Sequence, residues 1–223
     1  MKRAIILSGG PAHDYATTSA MLAEVLGEGA ISATIHEDLA VLGQPAAKRA
    51  DLIVANCARW TCDQTPDWRA EWHFELPEEA REGLLGFLLD GGPLLALHAA
   101  PICFDDWPEW PRILGATWRW GCSGHAPLQE FTVRMAPVPH PITDGLSDFP
   151  IVDELYTNLD PTDTIEPLAT AEWEDVRHPL LWVRRFRDAR VCYNALGHGL
   201  EAFANPTFRT LILRGAQWAV GAI

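Results

Sequence analysis

Apolar residues recur along this chain in two rhythms. Three short, largely apolar runs, Arg3–Leu7, Asp51–Asn56 and Pro93–Leu97, have no polar alternation. They read as strands buried on both faces, the signature of a parallel sheet. Ile31–His36 alternates as a further strand. Between these runs the spacing changes: Ala20, Met21, Val25 and Leu26 fall near one face of a helix over Thr17–Leu26. A second helix starts at Pro77, with Glu78 and Glu79 at its positive end, and runs to Leu89 before Gly91 and Gly92 stop it. Cys57–Leu76 shows neither rhythm and reads as irregular. The second half is richer in extended runs, at Leu128–Met135, Leu180–Phe186 and Arg190–Ala195, and closes with a helix over Pro206–Val220. Strand and helix alternate, so the expected fold is α/β. It is an open, mostly parallel, flavodoxin-like sheet with helices on both faces and antiparallel strands added in the second half. No repeat or low-complexity linker interrupts residues 1–223, which predicts one domain.

Composition narrows the partners. Lys and Arg total 17 against 30 Asp and Glu, a formal charge of −13. Such a chain repels phosphate backbones and anionic lipid surfaces, so neither nucleic acid nor a membrane is expected as partner. A small neutral ligand is unaffected by that charge. The five cysteines (57, 62, 103, 122 and 192) are odd in number and lack zinc-finger spacing, so they read as reduced thiols of a cytoplasmic protein. No apolar run approaches membrane-spanning length.

In open α/β sheets ligands bind beyond the carboxyl ends of the strands. Those ends carry Gly9, Gly10, His13 and Tyr15 after the first strand, His98 after PLLAL, and His198 with Glu201 after the last. Three strand ends thus deliver a histidine, the side chain suited to proton transfer or metal ligation near neutral pH. Gly9 and Gly10 serve either a turn or ligand approach, and a lone histidine such as His98 is often a hydrogen-bonded core residue. His198, flanked by Gly197 and Gly199, is harder to read that way. His125, in a glycine-containing loop, can reach the same crevice. His140 and His178 precede prolines and read as backbone positions, and His36 and His73 as surface residues. Asp153 and Glu154 lie either in a solvated turn or in a strand, where only one of them can enter a site; Tyr156 follows closely. Ten tryptophans are many for this length. Trp107, Trp110, Trp118 and Trp120 cluster after His98; their flat faces suit sugar rings, with Trp120 a candidate contact, and equally suit core or homo-oligomer packing.

The strings GGPAHDY (9–15), GGPLLALHAA (91–100), HPIT (140–143), DELY (153–156) and ALGHGLEAFANPTF (195–208) resemble, in order and spacing, the ThuA-like (trehalose utilisation) family. The resemblance implies a class I glutamine amidotransferase-like fold. It also implies a role in using trehalose or a related disaccharide, 3-keto sugars included. True amidotransferases carry a cysteine nucleophile at the strand end where this chain has His98, so no glutaminase activity is expected. His198 and Glu201 resemble the histidine and acid of that scaffold, with the acid one residue further along.

The leading expectation is a sugar-processing enzyme with His98, His198 and Glu154 as acid–base groups. Gly9, Gly10, His13, Tyr15, Asp153, Tyr156 and Trp120 would contact ligand. A divalent metal, zinc by chemistry, would be held by His98, His125 and His198. The alternatives are a non-catalytic sugar-binding or regulatory protein, and an interaction protein whose tryptophans form an oligomer interface.

Overall fold

The computed structural model describes every residue, Met1–Ile223. Along the chain run β1 (Lys2–Gly9), α1 (Tyr15–Glu28), β2 (Ile31–His36), α2 (Pro45–Lys48), β3 (Leu52–Cys57), α3 (Pro66–Trp72), α4 (Glu78–Leu89) and β4 (Leu94–Leu97). Then follow α5 (Glu109–Leu114), β5 (Ala116–Thr117), β6 (Gly124–His125), β7 (Gln129–Met135), β8 (Phe149–Asp153), β9 (Tyr156–Thr157) and β10 (Asp160–Pro161). The last elements are β11 (Pro167–Trp173), β12 (Val176–Phe186), β13 (Ala189–Asn194), α6 (Leu200–Ala204) and α7 (Pro206–Ala219).

Nine strands form one sheet in the order β2-β1-β3-β4-β13-β12-β11-β7-β8. Its first five strands are parallel and its last four join antiparallel. The parallel part is therefore the expected doubly wound sheet and the antiparallel part the expected addition. β1, β3 and β4 are buried along nearly their whole length, which is why their sequences are apolar without alternation. Sixty buried residues join in one continuous core.

Local chemistry sets the helix ends. Asp14 caps α1 by accepting the Thr17 N–H at 3.0 Å, and Asn205 caps α7 by accepting from Thr207 and Phe208 at 3.0 and 3.1 Å. Several elements escape the sequence rhythms, and four of them show why. α3 lies inside the stretch expected to be irregular; it buries none of its residues and so carries no apolar stripe. α5 contains Pro111, tolerated because it falls in the first turn, where an N–H has no helical partner. β8 contains Pro150, tolerated because β8 is the sheet edge. β11, PLATAEW, buries Leu168, Ala169, Thr170 and Ala171 in succession and so shows no alternation.

The antiparallel half returns to the parallel half. The end of β8 meets the turn between β13 and α6, where Asp153 accepts the N–H groups of Gly197 at 2.7 Å and His198 at 2.9 Å. That closure brings residues from both halves of the chain to one place.

Candidate active site

β4 ends in His98, whose φ of +37° is left-handed, a strained position for a non-glycine residue at a strand-to-helix bend. The surroundings hold it there. His98 N–H donates to the Asn194 carbonyl at 2.8 Å, Tyr193 Oη donates to the His98 carbonyl at 2.8 Å, and the ring Nδ1 lies 2.8 Å from the Ala195 carbonyl. A carbonyl only accepts, so Nδ1 carries a proton and Nε2 is the ring nitrogen left to meet a ligand. His13 is fixed by the same logic. Its Nδ1 lies 3.1 Å from the Pro11 carbonyl and 3.2 Å from Tyr15 Oη, which leaves Nε2 bare.

The rings of His13, His98 and His198 converge, with centroids 4.7 to 5.5 Å apart. Glu154 joins them: its Oε2 lies 3.1 Å from His198 Nδ1 and 3.8 Å from His98 Nε2. One ligand-type atom from each of His13, His98, Glu154 and His198 lies within 4.8 Å of the others. His13 Nε2 and His98 Nε2 are buried without a hydrogen-bond partner, and the buried His198 Nδ1 has only the Glu154 carboxylate, 3.1 Å away. Three buried imidazole nitrogens crowded on a single carboxylate, two of them unpartnered, are a costly arrangement unless something sits between them. The donor set suits a divalent transition ion, zinc included.

The electrostatics follow from this crowding. Burial, with the charges of His98 and His198, lowers His13 from its ordinary value to about 3. The contact with Glu154 raises His198 against the effect of burial. Burial alone would raise Glu154, but His198, His98 and the charge of His125 hold its carboxyl well below the usual range.

The sequence-expected residues divide. His125 is not among the converging nitrogens; His13 takes its place. The His125 side chain is 45% exposed at the rim, with Nδ1 3.4 Å from Glu154 Oε1, because β6 pairs with β9 on the outer side of Glu154. Asp153, the last residue of β8, is fully buried and turned into the Gly197–His198 turn, so the solvated-turn alternative does not hold, and Glu154, just past the strand end, is the carboxylate that joins the histidines. Gly9 and Gly10 have φ of +95° and +126°. A Cβ on Gly9 would overlap the Arg59 guanidinium, and one on Gly10 the Ala58 carbonyl, so both make room for protein. The Tyr156 ring lies tilted against His98 with centroids 4.3 Å apart, and Trp118 packs edge-to-face on Tyr156 at 5.1 Å, forming an aromatic wall. Trp120 packs beside Trp118 and Trp60, whereas Trp107 and Trp110 belong to the core. Glu201 acts on His198 only through its charge. Cys103, five residues past His98, is no substitute nucleophile: burial and Cys57 push its thiol well above the ordinary value, and it donates to the Cys57 carbonyl at 3.1 Å. His178 is buried within β12, and His73 ties to the Thr61 carbonyl at 2.6 Å.

The family model described as ThuA, trehalose utilisation, matches residues 3–219. The chain belongs to the ThuA family. A ThuA-like protein of Parabacteroides merdae superposes with a TM-score of 0.82 at 21% identity, over 99% of this chain and 90% of that one. A cytoplasmic protein of Salmonella typhimurium LT2 gives 0.66 at 17%, over 100% and 99%. A protein of Thermoplasma acidophilum described as part of a GMP synthase gives 0.53 at 14%, over 98% and 96%, in keeping with an amidotransferase-like fold. No curated protein matches the sequence significantly. Within this ThuA chain no helix is long and apolar enough to cross a membrane.

Proposed function

We propose that this ThuA-family protein is a cytoplasmic, metal-assisted enzyme that processes a small carbohydrate, trehalose or a related disaccharide such as a 3-keto derivative, at the His13–His98–His198–Glu154 cluster. One observation carries the reading: three buried imidazole nitrogens and one carboxylate whose ligand-type atoms all lie within 4.8 Å of one another. A divalent cation held there would polarise a sugar carbonyl or hydroxyl as a Lewis acid. The protein's own groups do the rest. The Ala195 and Pro11 carbonyls fix the tautomers of His98 and His13. Asp153 anchors the backbone of His198. Trp118, part-buried with its ring set edge-to-face on the buried Tyr156, offers an apolar surface to a sugar ring. His125, exposed beside Glu154, stands where a proton can pass between that carboxylate and water. The family description supports the carbohydrate, and the Salmonella typhimurium relative's description supports the compartment.

The test is metal content by mass spectrometry of protein purified without chelator, followed by assays on trehalose and 3-keto-trehalose with and without added zinc. About one ion per chain, lost together with turnover in His98→Ala and His198→Ala, is the expected result. A metal-free protein that zinc neither binds nor activates would overturn it.

A further inference from the structure

Six arginines are at least part-buried, and five of them have a partner. Arg81, Arg184 and Arg209 face carboxylates, while Arg190 and Arg214 donate to carbonyls. Arg59 is the sixth. Its side chain makes no ion pair and no hydrogen bond, and its Nε is buried without a partner. In a chain of net charge −13 a part-buried cation left without an acid is conspicuous. The fold also reserves the place: Gly9 lacks the Cβ that would overlap the guanidinium, and the Phe74 ring lies 5.6 Å from Arg59 Cζ.

The location gives this cation a purpose. Gly9 ends β1 and pairs with Cys57, which ends β3. In the strand order β2-β1-β3-β4-β13 the chain reverses direction of sheet growth between β1 and β3, and ligands of open α/β sheets bind in that crevice. Arg59 follows β3 by two residues and sits there against Gly9. Its sequence neighbours Ala58 and Trp60 pack with Tyr15, whose hydroxyl is 3.2 Å from His13. Asp14 already caps α1, so the guanidinium and not the helix end is the anchor for an anion.

We infer that Arg59 is a ligand-binding residue that receives an oxyanion, the carboxylate or phosphate of a small molecule whose remaining part extends toward the histidine cluster. The inference rests on the carbohydrate reading above and narrows it: the sugar would carry an acidic group, as a sugar acid or a sugar phosphate does and unmodified trehalose does not. A guanidinium presents paired N–H donors that match either group.

Calorimetric titration of the full chain with gluconate, glucose 6-phosphate and inorganic phosphate, against neutral glucose, tests this. At least one anion should bind while glucose binds more weakly, and Arg59→Met should weaken that anion roughly tenfold or more, with part of the affinity retained in Arg59→Lys. A response to gluconate or glucose 6-phosphate names the carboxylate or the phosphate. Inorganic phosphate binding as tightly as both, and still dependent on Arg59, upholds the oxyanion site while removing the support for sugar. Anions that bind no better than glucose, or equally well to Arg59→Met, overturn the inference. Should Arg59→Met fail to fold, arginine Nε–H resonances of the wild-type chain decide: one that moves with the anion and not with glucose supports the site, and none moving sinks it. Loss of metal in His98→Ala with anion affinity intact separates this site from the cluster.

Discussion

The carboxylate of Asp153 accepts the main-chain N–H of His198 at 2.9 Å, although 45 residues separate them. It takes the N–H groups of Gly197 and Glu154 as well, at 2.7 and 2.9 Å. One buried acid therefore fixes both the turn that presents His198 and the residue, Glu154, that meets it. Asparagine in its place would set an NH2 group against one of these donors. Asp153→Asn should cost about 1–3 kcal/mol of unfolding free energy and lower metal occupancy, although residue 153 would touch no metal. Urea denaturation with metal analysis checks both. An unchanged midpoint and full occupancy would show that the Asp153 anchor is dispensable.

The pH dependence of the metal-free chain has a definite sign. His13 is lowered to about 3 when folded. Its contribution is therefore present above the unfolded value near 6.5 and lost as pH falls through the window from about 6.5 to 3. His198 is raised by Glu154, so its contribution is present below about 6.5 and lost as pH climbs through the raised folded value. The two place a stability maximum near neutrality. On the acid side His13 accounts for up to about 1.4 kcal/mol per pH unit, so His13→Gln should flatten the fall between pH 6.5 and 5. An acid limb as steep in His13→Gln as in wild type would count against its neutral, buried state. Metal should bind more tightly as pH rises, because an imidazole that keeps its proton cannot ligate.

The sequence made three of the four clustered groups legible for one reason: His13, His98 and His198 each follow a strand of the parallel half, and ligand sites gather there. Glu154 was legible only as half of an acidic pair, since which carboxylate entered the cleft depended on the end of β8 reaching the β13–α6 turn. His125 was misplaced because a loop histidine carries no period, and the pairing of Gly124 and His125 with β9 sets it on the rim. Arg59 also follows a strand of the parallel half, after β3, but nothing in the sequence tells it from an ordinary surface cation. Its signal is an absent partner, which exists only once every acid in the fold has a position.

Thiol chemistry checks the claim that no cysteine replaces the amidotransferase nucleophile. Cys57, Cys62, Cys103 and Cys192 are buried and Cys122 is exposed. Burial pushes Cys192 up to about 12 and, with Cys57, Cys103 well above its ordinary value. Native protein should therefore show one thiol that reacts rapidly with a disulfide reagent, and all five in denaturant. The fast site should vanish in Cys122→Ser. Rapid labelling of Cys103 in native protein would reopen the case for a nucleophile beside His98.

Two glycines should respond to alanine with opposite signs. At Gly27, on α1, an added Cβ meets nothing within 4 Å, and the helix gains from the lower entropy of the unfolded chain. Gly27→Ala should stabilise by about 0.5–1 kcal/mol. At Gly10 the backbone has a φ of +126° and an added Cβ would overlap the Ala58 carbonyl, which is main chain and cannot rotate aside. Gly10→Ala should destabilise by about 1–3 kcal/mol and push the β1 and β3 ends apart, which would move His13 relative to His98. Thermal melts give the first quantity and metal affinity the second. Loss of affinity in Gly10→Ala, with Gly27→Ala binding normally, would tie the cluster's geometry to the close contact between the turn after β1 and the end of β3.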